Sequence, residues 1–278
     1  MSAMPWQPVP ELVNEGATRL IAFAIALLLL VLWERRAALR RLAVQRAPRW
    51  RTNLGMGAID ILILRAAYPA GAVGAALVAE SRDWGAFNHW PISAPAELAA
   101  TILLLDLVIY LQHRAFHSAP WLWRIHRVHH ADPEVDVSTG LRFHPLESAL
   151  SMLLKIGVVL SLGLPPFAVL LFEIILNAAA MFNHANVTLP VTLERMVRFV
   201  LVTPDMHRIH HSTHRPETDS NFGFGLSWWD RLFRTYRATP QVSQTSMPLG
   251  LPDAPASAAH YRLGPALLMP FRSWRKTA

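Results

Sequence analysis

The sequence predicts an all-α, multi-pass membrane protein of about four transmembrane helices, with a cytoplasmic helical cap that holds a polyhistidine dimetal site. Three observations predict it. Of 278 residues, 53 % are hydrophobic and only 16 % charged, whereas a soluble domain carries roughly 25 % charged residues. Long apolar runs alternate with short basic or histidine-bearing stretches. The thirteen histidines are mostly gathered into three clusters instead of being spread along the chain.

The apolar runs come first. Leu20 to Trp33 is uncharged, and with Leu12 to Thr18 before it about 20 residues are available to span a bilayer at ~1.5 Å per residue. Arg35, Arg36, Arg40, Arg41, Arg46, Arg49 and Arg51 follow. Such a cluster stays cytoplasmic, which puts the amino terminus outside. The first ten residues hold three prolines and no basic residue, unlike the start of a cleavable leader. Leu54 to Ala79 is a second apolar stretch. It contains Asp60 and Arg65, five apart and a poor helical pair, so this span is expected to be partly protein-facing. Ser81 to Pro95 reads as an outer loop or interfacial segment. Ala96 to Gln112 returns through the membrane with Asp106 at its centre. Ser148 to Leu164 and Phe167 to Phe182 fit a helical hairpin broken at Pro165-Pro166, with one charge each, Lys155 and Glu173. Thr203-Pro204 has the form of a helix start, Thr as the cap and Pro in the first turn. From Thr239 the chain is rich in Pro, Ser and Ala, and an extended tail is expected until Leu263 to Phe271. The boundaries that follow are 1–95 for the amino-terminal membrane segments, 96–238 for a catalytic unit and 239–278 for the tail.

The formal charge is +7, from 26 basic and 19 acidic residues. The basic residues cluster beside apolar spans, so they read as juxtamembrane loops and not as a nucleic-acid surface; no nucleic-acid partner is expected.

The chain has no cysteine, which excludes disulfides, thiolate zinc sites and iron–sulfur clusters. Any metal must take nitrogen or oxygen ligands. On a helix, positions i, i+3 and i+4 share a face. His113 and His117 therefore project together, as do His126, His129 and His130, and again His207, His210 and His211. Eight imidazoles exceed the three or four that a single zinc takes from protein, so two metals sharing a site fit the count. His184 and His144 are further candidate ligands. His214 is equally readable as solvated beside Arg215, and His89 and His260 as ordinary interfacial residues. Asp106, Tyr110, His113 and His117 form one helical stripe, which suggests Asp106 as the carboxylate that orients a ligand imidazole; Glu173, three turns before His184, is a weaker candidate of the same kind. Zinc, copper, iron and nickel all accept imidazole, so spacing leaves the metal open.

The motifs Asp106-x-x-x-Tyr110-x-x-His113-Arg114-x-x-His117, Pro120-x-Leu122-Trp123-x-x-His126-x-Val128-His129-His130 and Arg142-x-His144-Pro145 occur in that order. They are followed by His184-x-Asn186, Thr203-Pro204-x-Met206-His207-Arg208-x-His210-His211, Asp219-x-Asn221-Phe222-Gly223 and Trp229-Asp230-Arg231-Leu232-Phe233-x-Thr235-Tyr236. Across residues 97 to 238 the chain resembles the fatty acid hydroxylase/sterol desaturase superfamily of membrane di-iron oxygenases. Arg234, where a glycine is usual, is a small departure outside the ligands. The resemblance implies two irons, which zinc can replace in purified material, bound by the three clusters and His184. It implies dioxygen chemistry that places a hydroxyl or a double bond at an unactivated C–H of a lipid-like substrate. It also implies a separate electron-donor protein of cytochrome or ferredoxin type, and no nucleotide or haem motif stands in the chain itself. The candidate site set is then His113, His117, His126, His129, His130, His144, His184, His207, His210 and His211 as ligands, with Asp106, Asn186 and Asn221 as candidate catalytic residues. The expected location is a bacterial inner membrane, the site facing the cytoplasm.

Two other classes use histidine clusters. A zinc-dependent membrane hydrolase wants a general base near the metal, as in HExxH, and no glutamate lies inside the three clusters. A non-catalytic metal-binding or transport protein tends to carry its polar site near the bilayer midplane, whereas these clusters fall at the rim of the apolar spans.

Overall fold

The computed structural model describes residues 15–252 and 261–272; the first ten residues and His260 lie outside the described residues. Five stretches are long and apolar enough to cross a membrane. They are helix α1 (Glu15–Ala37), the pair α2 (Arg46–Ala67) and α3 (Gly71–Ser81) taken together, α4 (Ala94–Ser118), α6 (Pro145–Leu162) and α7 (Pro166–His184). The sequence reading expected about four. The hairpin expected around Pro165-Pro166 forms two separate helices, of 18 and 19 residues, and each qualifies on its own.

Local sequence explains the breaks. Gly163 ends α6 in the left-handed conformation at φ 70°, and Pro166 stands in the first turn of α7. The segment expected as an outer loop packs on that turn. Gly85 approaches so closely that a Cβ there would lie 2.1 Å from the Gly163 nitrogen. Among the described residues there is no β-ladder, only isolated bridges at Leu201–Leu226 and Ser212–Leu249.

Helix α7 occupies the centre and packs against α1, α3, α4 and the one-turn segment Val137–Leu141. The main core joins Leu105 and Ile109 of α4, Val159 of α6, Val169 and Phe172 of α7, and Phe224. Outward-facing leucines and isoleucines of α1 remain exposed, as a lipid-facing helix requires. Several of the charges within the apolar helices are partnered: Ser148 donates to Asp60 at 2.7 Å, and Glu173 pairs with Lys155 and also with Arg19.

The remaining elements gather at one end: α5 (Pro120–His130), α8 (Val191–Val200), α9 (Pro204–His210), α10 (Arg215–Thr218), α11 (Trp228–Leu232) and α12 (Leu263–Leu268). The arginine-rich link between α1 and α2 lies at this same end. Glu34 accepts from the backbone of Val137 (2.7 Å) and Asn186 (2.8 Å), and Arg49 forks onto Asp132 at 2.7 and 2.8 Å.

Candidate metal centre

Three helices deliver the clustered histidines, as spacing on a helix requires. α4 carries His113 and His117 near its end; α5 carries His126, His129 and His130; α9 carries His207 and His210, with His211 as its closing residue. Thr203 caps α9 by accepting from Met206 N at 3.3 Å, as its sequence foretold. α7 ends on His184. All nine of these side chains are buried, at most 4 % exposed.

They fall into two groups. His113, His117, His126, His130 and His210 form one; His129, His184, His207 and His211 form the other. Within each group the available ring nitrogens lie within 4.8 Å of one another. His184 is the hub of the second group. Its Nε2 is 3.0 Å from Nε2 of His129, 3.0 Å from that of His207 and 3.1 Å from that of His211. In the first group, His113 Nε2 and His126 Nε2 are 3.1 Å apart.

A proton cannot account for the contact between His129 and His184. A carbonyl only accepts, so a ring nitrogen facing one must carry the hydrogen. His129 Nδ1 donates to the carbonyl of Arg142 at 3.2 Å, and His184 Nδ1 to that of Ala180 at 2.5 Å. Both Nε2 atoms are then lone pairs aimed at each other, with no hydrogen between them. Charging the rings is opposed by burial. Burial first, then the neighbouring imidazoles, hold His129, His130, His207, His210 and His211 well below the ordinary 6.5, and burial pushes His126 down to about 3. In the first group His117 Nε2, His210 Nε2 and both nitrogens of His130 are buried without a partner. Neutral, inward-facing lone pairs about 3 Å apart are what a metal ion needs, because two nitrogens at ~2.1 Å from one ion and near a right angle are separated by about 3.0 Å. The residues present fit two ions with nitrogen-only ligation.

Four outer ring nitrogens in the first group are fixed as well. His113 Nδ1 donates to the Phe222 carbonyl (2.7 Å) and His210 Nδ1 to that of Ser220 (2.8 Å); His126 Nδ1 meets Glu147 (2.7 Å) and His117 Nδ1 meets Asp219 (3.3 Å). These partners set tautomer and ring orientation. Aromatic rings wrap the rest: Trp123 beside His117 and His130, Phe143 stacked at 4.5 Å on His129, and Phe224 against His113 and His207.

The comparisons with known proteins agree with this geometry. The fatty acid hydroxylase family model matches residues 98–235, a stretch that contains all nine histidines. The chain belongs to the fatty acid hydroxylase/sterol desaturase superfamily. A second model, of a family of unknown function, matches residues 10–117. Among curated relatives of this hydroxylase-superfamily chain, an ornithine lipid hydroxylase of Rhizobium tropici is 28 % identical over 163 residues, 58 % of this chain and 47 % of the relative. An alkylglycerol monooxygenase of Caenorhabditis elegans is 27 % identical, covering 53 % of this chain and 28 % of its own length. A cholesterol 25-hydroxylase-like protein of Danio rerio is 28 % identical, covering 53 % and 63 %. The alignments thus span less than two thirds of each of these relatives. No solved structure matches the chain significantly.

Four expected residues lie elsewhere in this superfamily member. His144 stands outside both groups: it caps α6, its Nδ1 accepting from Leu146 N, while its Nε2 donates to the Leu267 carbonyl at 3.0 Å. Asp106 touches no histidine. It accepts from Gly225 N, Leu226 N and the Trp229 indole, and so anchors the loop whose Phe222 carbonyl holds His113. Asn186 exchanges hydrogen bonds with the Arg40 backbone, and Asn221 ties Met206 to Arg237. The hydrogen bonds of both asparagines brace the backbone of the cap. Glu147 and the carbonyls of Ala180, Arg142, Ser220 and Phe222 were not anticipated. Glu147 lies three residues past His144, and nothing in the spacing marks it as a partner of His126.

Proposed function

We propose that the chain is a membrane lipid hydroxylase that holds two irons in its two histidine groups and uses dioxygen. The observation that carries this reading is the His184 hub, three ring nitrogens converging on a fourth at 3.0–3.1 Å. Family membership and relatives named as hydroxylases or monooxygenases supply the reaction type. Iron pairs, when bound, supply dioxygen activation at an unactivated C–H bond, chemistry that no side chain provides.

The chain's own residues do the rest. Nine imidazoles provide redox-inert nitrogen ligation; with no cysteine, no thiolate stands near an oxidant. Backbone carbonyls, Glu147 and Asp219 hold protons on the outer nitrogens, so the inner ones stay free to bind. Burial keeps bulk water away from the site. Phe224 links His113 to the apolar core shared with α4, α6 and α7, which favours an apolar chain arriving from the bilayer over a soluble substrate. The substrate class is a lipid-like amphipath. Hydroxylation consumes one dioxygen, two electrons and two protons, releasing water, and the electrons come from a separate donor protein of cytochrome or ferredoxin type.

The arginine-rich link beside the cap supports a cytoplasmic site, since such clusters are retained on that side; an inner bacterial membrane is the matching location. A zinc hydrolase is disfavoured by a specific contact. Glu147 and Asp219, the carboxylates that touch site histidines, bond Nδ1, on the side away from the converging Nε2 atoms.

The test is metal analysis of the purified full chain, with turnover of a host lipid extract under ¹⁸O-labelled dioxygen. Near-stoichiometric iron in both groups and a lipid product bearing the label are expected. Oxygen-independent turnover with zinc would overturn the reading.

A further inference from the structure

Helix α8 is built inside out. Its inward face carries charge: Glu194 is buried and accepts from Arg198 Nε at 2.7 Å and from Thr203 Oγ1 at 2.5 Å. Its outward face is apolar. Leu193, Met196 and Phe199 are 44 %, 67 % and 68 % exposed. A soluble helix has the opposite arrangement.

The neighbouring surface continues the pattern. Trp228 of α11 donates from its indole to the Phe199 carbonyl at 3.0 Å, and Trp228 and Leu232 are both exposed. Phe233 follows and stacks on Tyr110 of α4, centroids 5.3 Å apart and planes within 16°. Leu111, next along α4, is 45 % exposed. The apolar surface therefore runs from a helix long and apolar enough to cross the membrane, over Phe233 and α11, to α8.

We propose that α8 and α11 lie in the plane of the bilayer, their apolar face sunk into the boundary between headgroups and acyl chains on the side of the histidine helices. The occupant of the face is lipid. Continuity with α4 is one argument. The second is charge. Arg195 and Arg234 are exposed around the face, where they can reach lipid phosphates; a second copy of the chain would set these arginines against each other. The anchor bears on the metal centre through Thr203, which bonds Glu194 of α8 and caps α9. The inference does not depend on which metal is bound or which reaction is run.

The chain has no cysteine, so single introduced cysteines report alone. Met196→Cys, Phe199→Cys and Leu193→Cys, each with a nitroxide label, are compared in the full chain reconstituted in phosphatidylcholine liposomes. Leu28→Cys on α1 is the lipid-facing reference and Thr245→Cys the aqueous one. Collisions with oxygen and with a water-soluble nickel chelate are measured at each site. At all three α8 positions the oxygen-to-chelate ratio should lie well above that at Thr245 and below that at Leu28, which sits near the middle of α1. A ratio matching Thr245 overturns the proposal. So does spin–spin broadening at Met196 that disappears on dilution with unlabelled protein, because a second copy would then cover the face.

Discussion

His129 and His184 aim Nε2 at one another across 3.0 Å, although each has given its Nδ1 hydrogen to a backbone carbonyl, Arg142 in one case and Ala180 in the other. A hydrogen bond between them has no hydrogen to use. A metal cation between the two nitrogens would reconcile the pair. Both partners are backbone atoms, so the arrangement is set by the chain's path.

Removal of the hub should therefore empty one group and spare the other. His184→Ala deletes the nitrogen that faces His129, His207 and His211. Metal content should fall to about half, with activity lost and helix content by circular dichroism unchanged. Undiminished metal content would take His184 out of the site.

Glu147 should govern how tightly the five-histidine group holds its ion. Its carboxylate fixes the His126 ring through Nδ1 at 2.7 Å. Loss of such an outer partner typically costs ~10–100-fold in metal affinity. Glu147→Ala should show that loss in a chelator titration, and Glu147→Gln, which keeps an accepting oxygen, should recover part of it.

His144→Ala separates capping from ligation. The ring caps α6 and ties it to Leu267. Loss of a cap costs about 1 kcal/mol. The variant should melt at a lower temperature with unchanged metal content. Loss of metal would restore His144 to the ligand set.

Arg234 adopts φ 59°, a left-handed conformation that costs a side-chain-bearing residue about 1–2 kcal/mol. Arg234→Gly removes that strain at some cost in unfolded-state entropy. A net gain of about 0.5–1 kcal/mol is expected in thermal unfolding in detergent; a loss would mean that the arginine side chain contributes more than its backbone costs.

Spacing made eight of the nine histidines legible, because i, i+3 and i+4 positions share a face of any helix; His184 has no such neighbour and was singled out by the family resemblance. Their outer partners were not legible. A carbonyl acceptor belongs to the backbone, and no residue type announces it; Ala180, Ser220 and Phe222 serve through oxygens that every residue has. Asp106 shows how a correct periodicity can mislead. It does share α4 with His113, but seven residues amount to about 10 Å of helix, beyond the reach of an aspartate. The carboxylate instead meets the 225–229 loop, which no local pattern connects to α4. Asn186 stands in a histidine-bearing motif and Asn221 in one without histidine, and both bond backbone groups of the cap; a motif records which residues a fold needs, without separating those that would touch an ion from those that hold the touching residues. The helix count was blurred because Pro165-Pro166 reads equally as the tip of a short hairpin and as the boundary of two full spans.

The most direct test of the central claim is the metal content of the full chain purified without chelator, read by elemental analysis beside that of His184→Ala. Two metal ions per chain, reduced to one in the variant, is the expected result. One ion or none in the wild-type protein, or equal content in both proteins, would contradict a centre built from two histidine groups.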